Sequence, residues 1–152
     1  MKEELKQLSF ISGTSDLYGE GVLITLSDGD LILDPDLRAD ALVHDSDVLT
    51  VVNELKAAGA EAISVNGQRI IATSAIRCVG PVIQVNYQKV AAPFIIKAIG
   101  SAQYLESAFN IKNGVGDLLR ELGVGVKISR EKNLKIDKFD GTINFKNARL
   151  TQ

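Results

Sequence analysis

A chain of 152 residues, 45% hydrophobic and 24% charged, is long enough to hold one core without disulfides or a structural metal, because a domain of this size hides roughly 68–70% of its unfolded surface. Its formal net charge of −2 excludes a broad phosphate-binding face, which needs concentrated Lys and Arg, so no nucleic-acid partner is expected. A single cysteine, Cys78, excludes a disulfide-stapled scaffold, and there is no run of about 18 apolar residues to cross a bilayer.

The opening MKEELKQLSF carries helix formers, with Leu5 and Leu8 three apart. It is too short to stand as an isolated helix. Residues 1–18 read as the end of a helical or coiled-coil linker, or as a frayed terminus; one domain is expected over 19–147, with a tail at 148–152. GEGVLITLSDGD has strand alternation, placing Val22, Ile24 and Leu26 on one face. LILDPD is expected to return as a short strand stopped at Pro35. HDSDVLTVVNELKAAG predicts a helix, with Asp45 or Ser46 as cap. Its apolar stripe is Val48, Val51, Val52 and Leu55, and Gly59 supplies the left-handed stop.

Asn66-Gly67 is a strong hairpin signal, since a type I′ turn needs positive φ at both central residues. The implied register sets Val65 opposite Gln68 and Ser64 opposite Arg69. Ile63, Val65, Gln68 and Ile70 then share the core face, and Arg69 points away from it. AIRCVG and PVIQVNY read as further strands broken at Gly80-Pro81, and APFIIKAIG as another with Pro93 first. SAQYLESAF predicts a helix capped by Ser101, and NGVGDLLRELG a second with Val115, Leu118, Leu119 and Leu122 inward. VGVKISREKNLKIDKF is expected to form a strand pair around Glu131–Asn133. This order predicts an α+β fold, a curved and mostly antiparallel sheet with helices packed on one face, distantly ferredoxin-like.

Each candidate for chemistry has a simpler reading beside it. Cys78 needs a nearby base and a depressed thiol pKa to act as a nucleophile. In an apolar strand, with His44 far along the chain, it is expected to be buried and inert. His44, Asp45 and Asp47 suit a helix N-terminus better than a metal, because zinc wants three or four N or S ligands. Gly19 and Gly21 precede a strand, the reverse of a dinucleotide-binding turn. Gly114 and Gly116 in a first helical turn offer at most a weak anion site. Lys127, Arg130, Lys132, Lys135 and Lys138 alternate with acids and read as a solvated edge. No catalytic residues, cofactor or metal are therefore expected. What remains is a polar set on apolar strands: Asn66, Gln68, Arg69, Arg77 and Asn86, with Ser64 and Ser74. Its arginines suit carboxylate or phosphate recognition, or pairing with the domain's own acids.

The strings ADALVHDSDVLTVVNELKAAGAEAISVNGQRI and TSAIRCVGPVIQVN, with GEGVLITLSD and PFIIKAIG, resemble the YlxW/YlxX-type bacterial proteins, known as domain of unknown function 881. The resemblance covers roughly residues 19 to 145. The family's recurring polar positions match His44, Asp45, Asn53, Glu54, Asn66, Gln68, Arg69, Arg77, Cys78 and Asn86, none with an assigned role. The resemblance implies an N-terminal membrane anchor and a coiled coil ahead of the domain, the coil making a homodimer. It also implies an extracytoplasmic domain whose gene lies near cell-division genes. The expected function is a non-enzymatic interaction domain of an envelope protein linked to division or sporulation. The alternative is a small anionic-ligand or enzymatic site using Arg69, Arg77 and Cys78. On the first reading, Arg69→Ala with Arg77→Ala is expected to leave the fold intact and weaken partner capture.

Overall fold

The computed structural model of the chain describes residues 2–29 and 42–151. Its elements run α1 (Lys2–Ser12), β1 (Leu17–Ser27), α2 (Asp45–Ala57), β2 (Ala62–Val65), β3 (Gln68–Arg69), β4 (Ile76–Val79), β5 (Val82–Val85), β6 (Gln88–Val90), β7 (Phe94–Ile99), α3 (Ala102–Phe109), α4 (Val115–Glu121) and β8 (Gly125–Ile136). Two antiparallel sheets result, one five-stranded in the order β3-β2-β7-β1-β8 and one three-stranded in the order β4-β5-β6. The architecture is α+β, as the element order predicts.

Hydrophobic alternation decides which way the large sheet faces. Val22, Ile24 and Leu26 of β1 stand opposite Ala98, Ile96 and Phe94 of β7, and Ile63 and Val65 of β2 join the same face. That face closes on Val48, Val51, Val52 and Leu55 of α2 and on Leu105 and Phe109 of α3, with Ile76, Ile83 and Val85 of the small sheet completing the core. A smaller cluster of Ala62, Ile99, Leu134 and Ile136 forms separately. The glycines ahead of the β1 core have a packing cause. A Cβ on Gly21 would collide with the backbone carbonyl oxygen of Ala98, so only glycine lets β1 and β7 approach there. The β1–β8 register shifts between Gly19 and Gly21.

Several expectations change. The Gly125–Ile136 segment is one continuous strand along β1, not a hairpin, because β1 supplies partners along its whole length. In α4 only Leu119 of the four expected apolar residues is fully buried; Leu118 and Leu122 are exposed, since the short helix presents a narrow stripe to the core. The helix α2 is capped by His44, not by Asp45 or Ser46, which lie inside its first turn. The His44 backbone N–H donates to the Asp47 carboxylate at 2.8 Å, closing that end. Strand β1 begins at Leu17, inside the segment assigned to the linker, and the LILDPD strand lies outside the described residues.

Candidate functional site

The hairpin register holds as predicted: Ser64 pairs with Arg69 and Val65 with Gln68. Arg69 points away from the α2 core, yet it meets no solvent there. It is 2% exposed, because the end of α1 and the chain after β8 close over it. Its guanidinium donates to the carbonyls of Ser15 at 2.9 Å, Phe10 at 3.0 Å and Asp137 at 3.4 Å. Its own carbonyl accepts from Asn86 Nδ2 at 2.7 Å. Burial pulls the guanidinium pKa below its ordinary value, while the charge of Asp16 opposes that shift. Arg69 thus ties α1, the β3 edge, the small sheet and the C-terminal segment into one unit. The expected binding arginine is a structural clamp, and its partners are backbone carbonyls rather than acids.

The other members of the polar set scatter. Asn66, at φ 47° in the type of turn predicted, accepts the Ile95 N–H at 2.6 Å and donates toward the carbonyls of Pro93 and Ala91. It latches the hairpin onto β7. Asn86 turns the chain between β5 and β6 at φ 51°, and its buried Oδ1 has no hydrogen-bond partner. Gln68 is half-buried, and Arg77 is exposed on the outer face of β4 opposite Gln84. The sheet does not bring Arg69 and Arg77 together: one is enclosed and the other faces solvent on a different sheet.

Cys78 reverses its expectation. It shares the inward face of β4 with Ile76, but at the end of the strand it overhangs the start of α2 and is exposed. Its Sγ accepts the Asp45 N–H at 3.4 Å, and its own N–H donates to Asp45 Oδ2 at 3.0 Å. That second bond is the chief reason the Asp45 carboxyl sits below its ordinary pKa; the Ser46 N–H adds to it, and burial opposes both. Cys78 and His44 line a cleft of about 150 Å³ with Asp28, Pro81, Ile83 and Phe94. Arg69 has no part in it.

The remaining candidate anion sites are filled from within. Asp117 accepts the Asn113 N–H at 3.0 Å where α4 begins. On β8, Arg130 pairs with Glu106 at 2.9 Å and Lys135 with Asp137 at 3.5 Å, which makes the basic stretch a charged edge.

One apolar opening had no counterpart among the expectations from sequence. A groove of about 460 Å³ runs between α1 and the chain after β8, lined by Leu5, Leu8, Ile11, Ile71, Ile143 and Phe145 together with small polar residues such as Ser9 and Thr73. Among the described residues, no charged side chain lines it. No residue of α1 is buried, and Ile11 and Phe145 remain 80% and 69% exposed. The available signal was the three-residue spacing of Leu5, Leu8 and Ile11, together with Ile143 and Phe145 two apart in a polar stretch. Among the described residues, no helix is long and apolar enough to cross a membrane.

Comparison with known proteins agrees with this architecture. The chain is 37% identical over 134 residues to the UPF0749 protein YlxW of Bacillus subtilis, covering 88% of this chain and 58% of that protein. It is 30% identical over 133 residues to the UPF0749 protein Rv1823 of Mycobacterium tuberculosis, covering 82% and 43%. The chain therefore spans about half the length of the curated relatives it matches. A crystal structure of an uncharacterized conserved protein from Mycobacterium tuberculosis superimposes with a TM-score of 0.78 at 25% identity, covering 97% of this chain and 99% of that one. The family profile described as "Bacterial protein of unknown function (DUF881)" matches residues 4–149, and on that coverage the chain belongs to this bacterial family.

Proposed function

We propose that the chain is a non-enzymatic interaction domain of a membrane-anchored bacterial envelope protein, acting beside the division or sporulation machinery, with a protein partner seated in the α1 groove. The observation that carries this reading is the groove itself. Leu5, Leu8, Ile11, Ile143 and Phe145 leave on the order of 600 Å² of apolar surface bare, taking a fully exposed large side chain as ~200 Å². That is the upper end of the roughly 300–600 Å² spanned by the largest patch on a typical monomer, a patch that often serves function. The buried clamp of Arg69 supports it too, because it fixes the end of α1 and holds the apolar stripe in place. The family resemblance is what supports anchoring, an extracytoplasmic location and the division link in this reading. A photo-crosslinking residue at Leu8 in the whole protein is expected to trap a protein in cells, and one at the exposed Tyr104 on α3 is not. Equal trapping at both positions, or at neither, would count against the groove.

A second reading has one observation in its favour. Cys78 is exposed and lines one cleft with His44, its sulfur accepting the N–H of Asp45 at 3.4 Å. A small ligand or a thiol reaction at that cleft would involve Cys78 and His44, without Arg69. Retention of function by Cys78→Ser removes it.

A further inference from the structure

We infer that the partner seated in the α1 groove is the same groove of a second copy of this chain, which rests on the interaction role proposed above and names its occupant. The contact joins α1 to Ile71, Ile143 and Phe145, so it belongs to the folded domain and not to a helix alone.

Three observations select a second copy over other occupants. The first is area. Two copies meeting face to face remove about twice the ~600 Å² of bare apolar surface, above the roughly 1,000 Å² expected of a biological interface. The second is shape. A twofold contact requires each copy to offer both a projection and a recess. Ile11 and Phe145 project at 80% and 69% exposure beside a recess of about 460 Å³. The third is charge. With no charged residue among the described lining and a net charge of only −2 per chain, two copies approach against weak like-charge opposition. A charged partner would find nothing complementary to read. A lipid surface fits less well, because Glu3 and Glu4 balance Lys2 and Lys6 on α1, whereas helices that lie on anionic bilayers carry a basic polar face.

An eleven-residue helix with no buried residue is marginal on its own. A twin packed against it supplies the apolar contact that its own domain withholds.

Sedimentation velocity on this chain from about 1 to 200 µM tests the inference. A reversible monomer–dimer equilibrium is expected. Leu8→Glu and Ile11→Glu should each weaken it by at least about thirtyfold, the loss typical of a central interface residue. Tyr104→Glu on the far surface should leave it unchanged. Both groove positions are exposed, so circular dichroism should match the parent and separate lost association from lost fold. A monomer across the whole range would overturn the inference, as would a dimer indifferent to Leu8→Glu and Ile11→Glu. Co-sedimentation with vesicles of anionic phospholipid, in place of self-association, would also overturn it in favour of a membrane surface. If the chain is monomeric but Leu8 still crosslinks a different protein in cells, the interaction role survives and only the identity of its partner falls.

Discussion

Replacing Arg69 by alanine should cost this domain several kcal/mol. The guanidinium is enclosed at 2% exposure and serves three carbonyls, two at 2.9 and 3.0 Å and a weaker third at 3.4 Å. A hydrogen bond from a charged donor contributes about 1.5–3 kcal/mol, and the abandoned acceptors keep part of their desolvation penalty. Water can enter the space left by the side chain and recover some of it, so the expected loss is about 3–5 kcal/mol. That is a large share of the roughly 5–15 kcal/mol by which such domains are stable. Arg69→Lys keeps the charge but loses the fork, and should cost about half as much. Urea unfolding followed by circular dichroism measures the loss, and hydrogen exchange should show α1 losing protection first. A change below about 1 kcal/mol, with α1 protected as before, would refute the clamp.

Native protein should react with Ellman's reagent at one thiol per chain, since Cys78 is exposed; protection until denaturant is added would contradict its placement. Asp45→Asn should lower stability at neutral pH by about 1 kcal/mol, a charged hydrogen bond discounted for solvent screening. Because the folded Asp45 pKa lies below its ordinary value, that contribution is present above about pH 4 and is lost as pH falls through the folded pKa. The gap between variant and parent in a pH series of melts should therefore close in acid; a gap that widens in acid has the wrong sign. Gly21→Ala sets a Cβ against the Ala98 carbonyl and should cost about 3 kcal/mol or more, beyond ordinary overpacking, as read by the unfolding midpoint. A neutral result would mean that β1 and β7 lie farther apart.

What could be read from the sequence was local and periodic. The α2 stripe Val48, Val51, Val52 and Leu55 is buried as its spacing requires. The Asn66-Gly67 turn set the register of its hairpin, and Ser101 caps α3, accepting the Tyr104 N–H at 3.3 Å. What could not be read depended on distant segments meeting. Alternation put Arg69 on the outer face of its hairpin, but burial on that face comes from α1 and the chain near Asp137, 59 and 68 residues away. Cys78 has the apolar neighbours of a buried residue in the sequence. Only the overhang of β4 beyond α2 leaves it exposed. The Asn86-Tyr87 turn, with φ of 51° and 67°, has no glycine to announce it, so β6 was not foreseen. The groove escaped because its two walls come from opposite ends of the chain.

The account stands on the α1 groove as the working surface of the molecule, and a complementation assay reaches it most directly. In a strain lacking the gene, whole protein carrying Leu8→Glu with Ile11→Glu should fail to restore the deletion phenotype while accumulating normally. Protein carrying Cys78→Ser with His44→Ala should restore it. The reverse pattern, with groove variants active and cleft variants dead, would move the function to the thiol cleft and contradict this account.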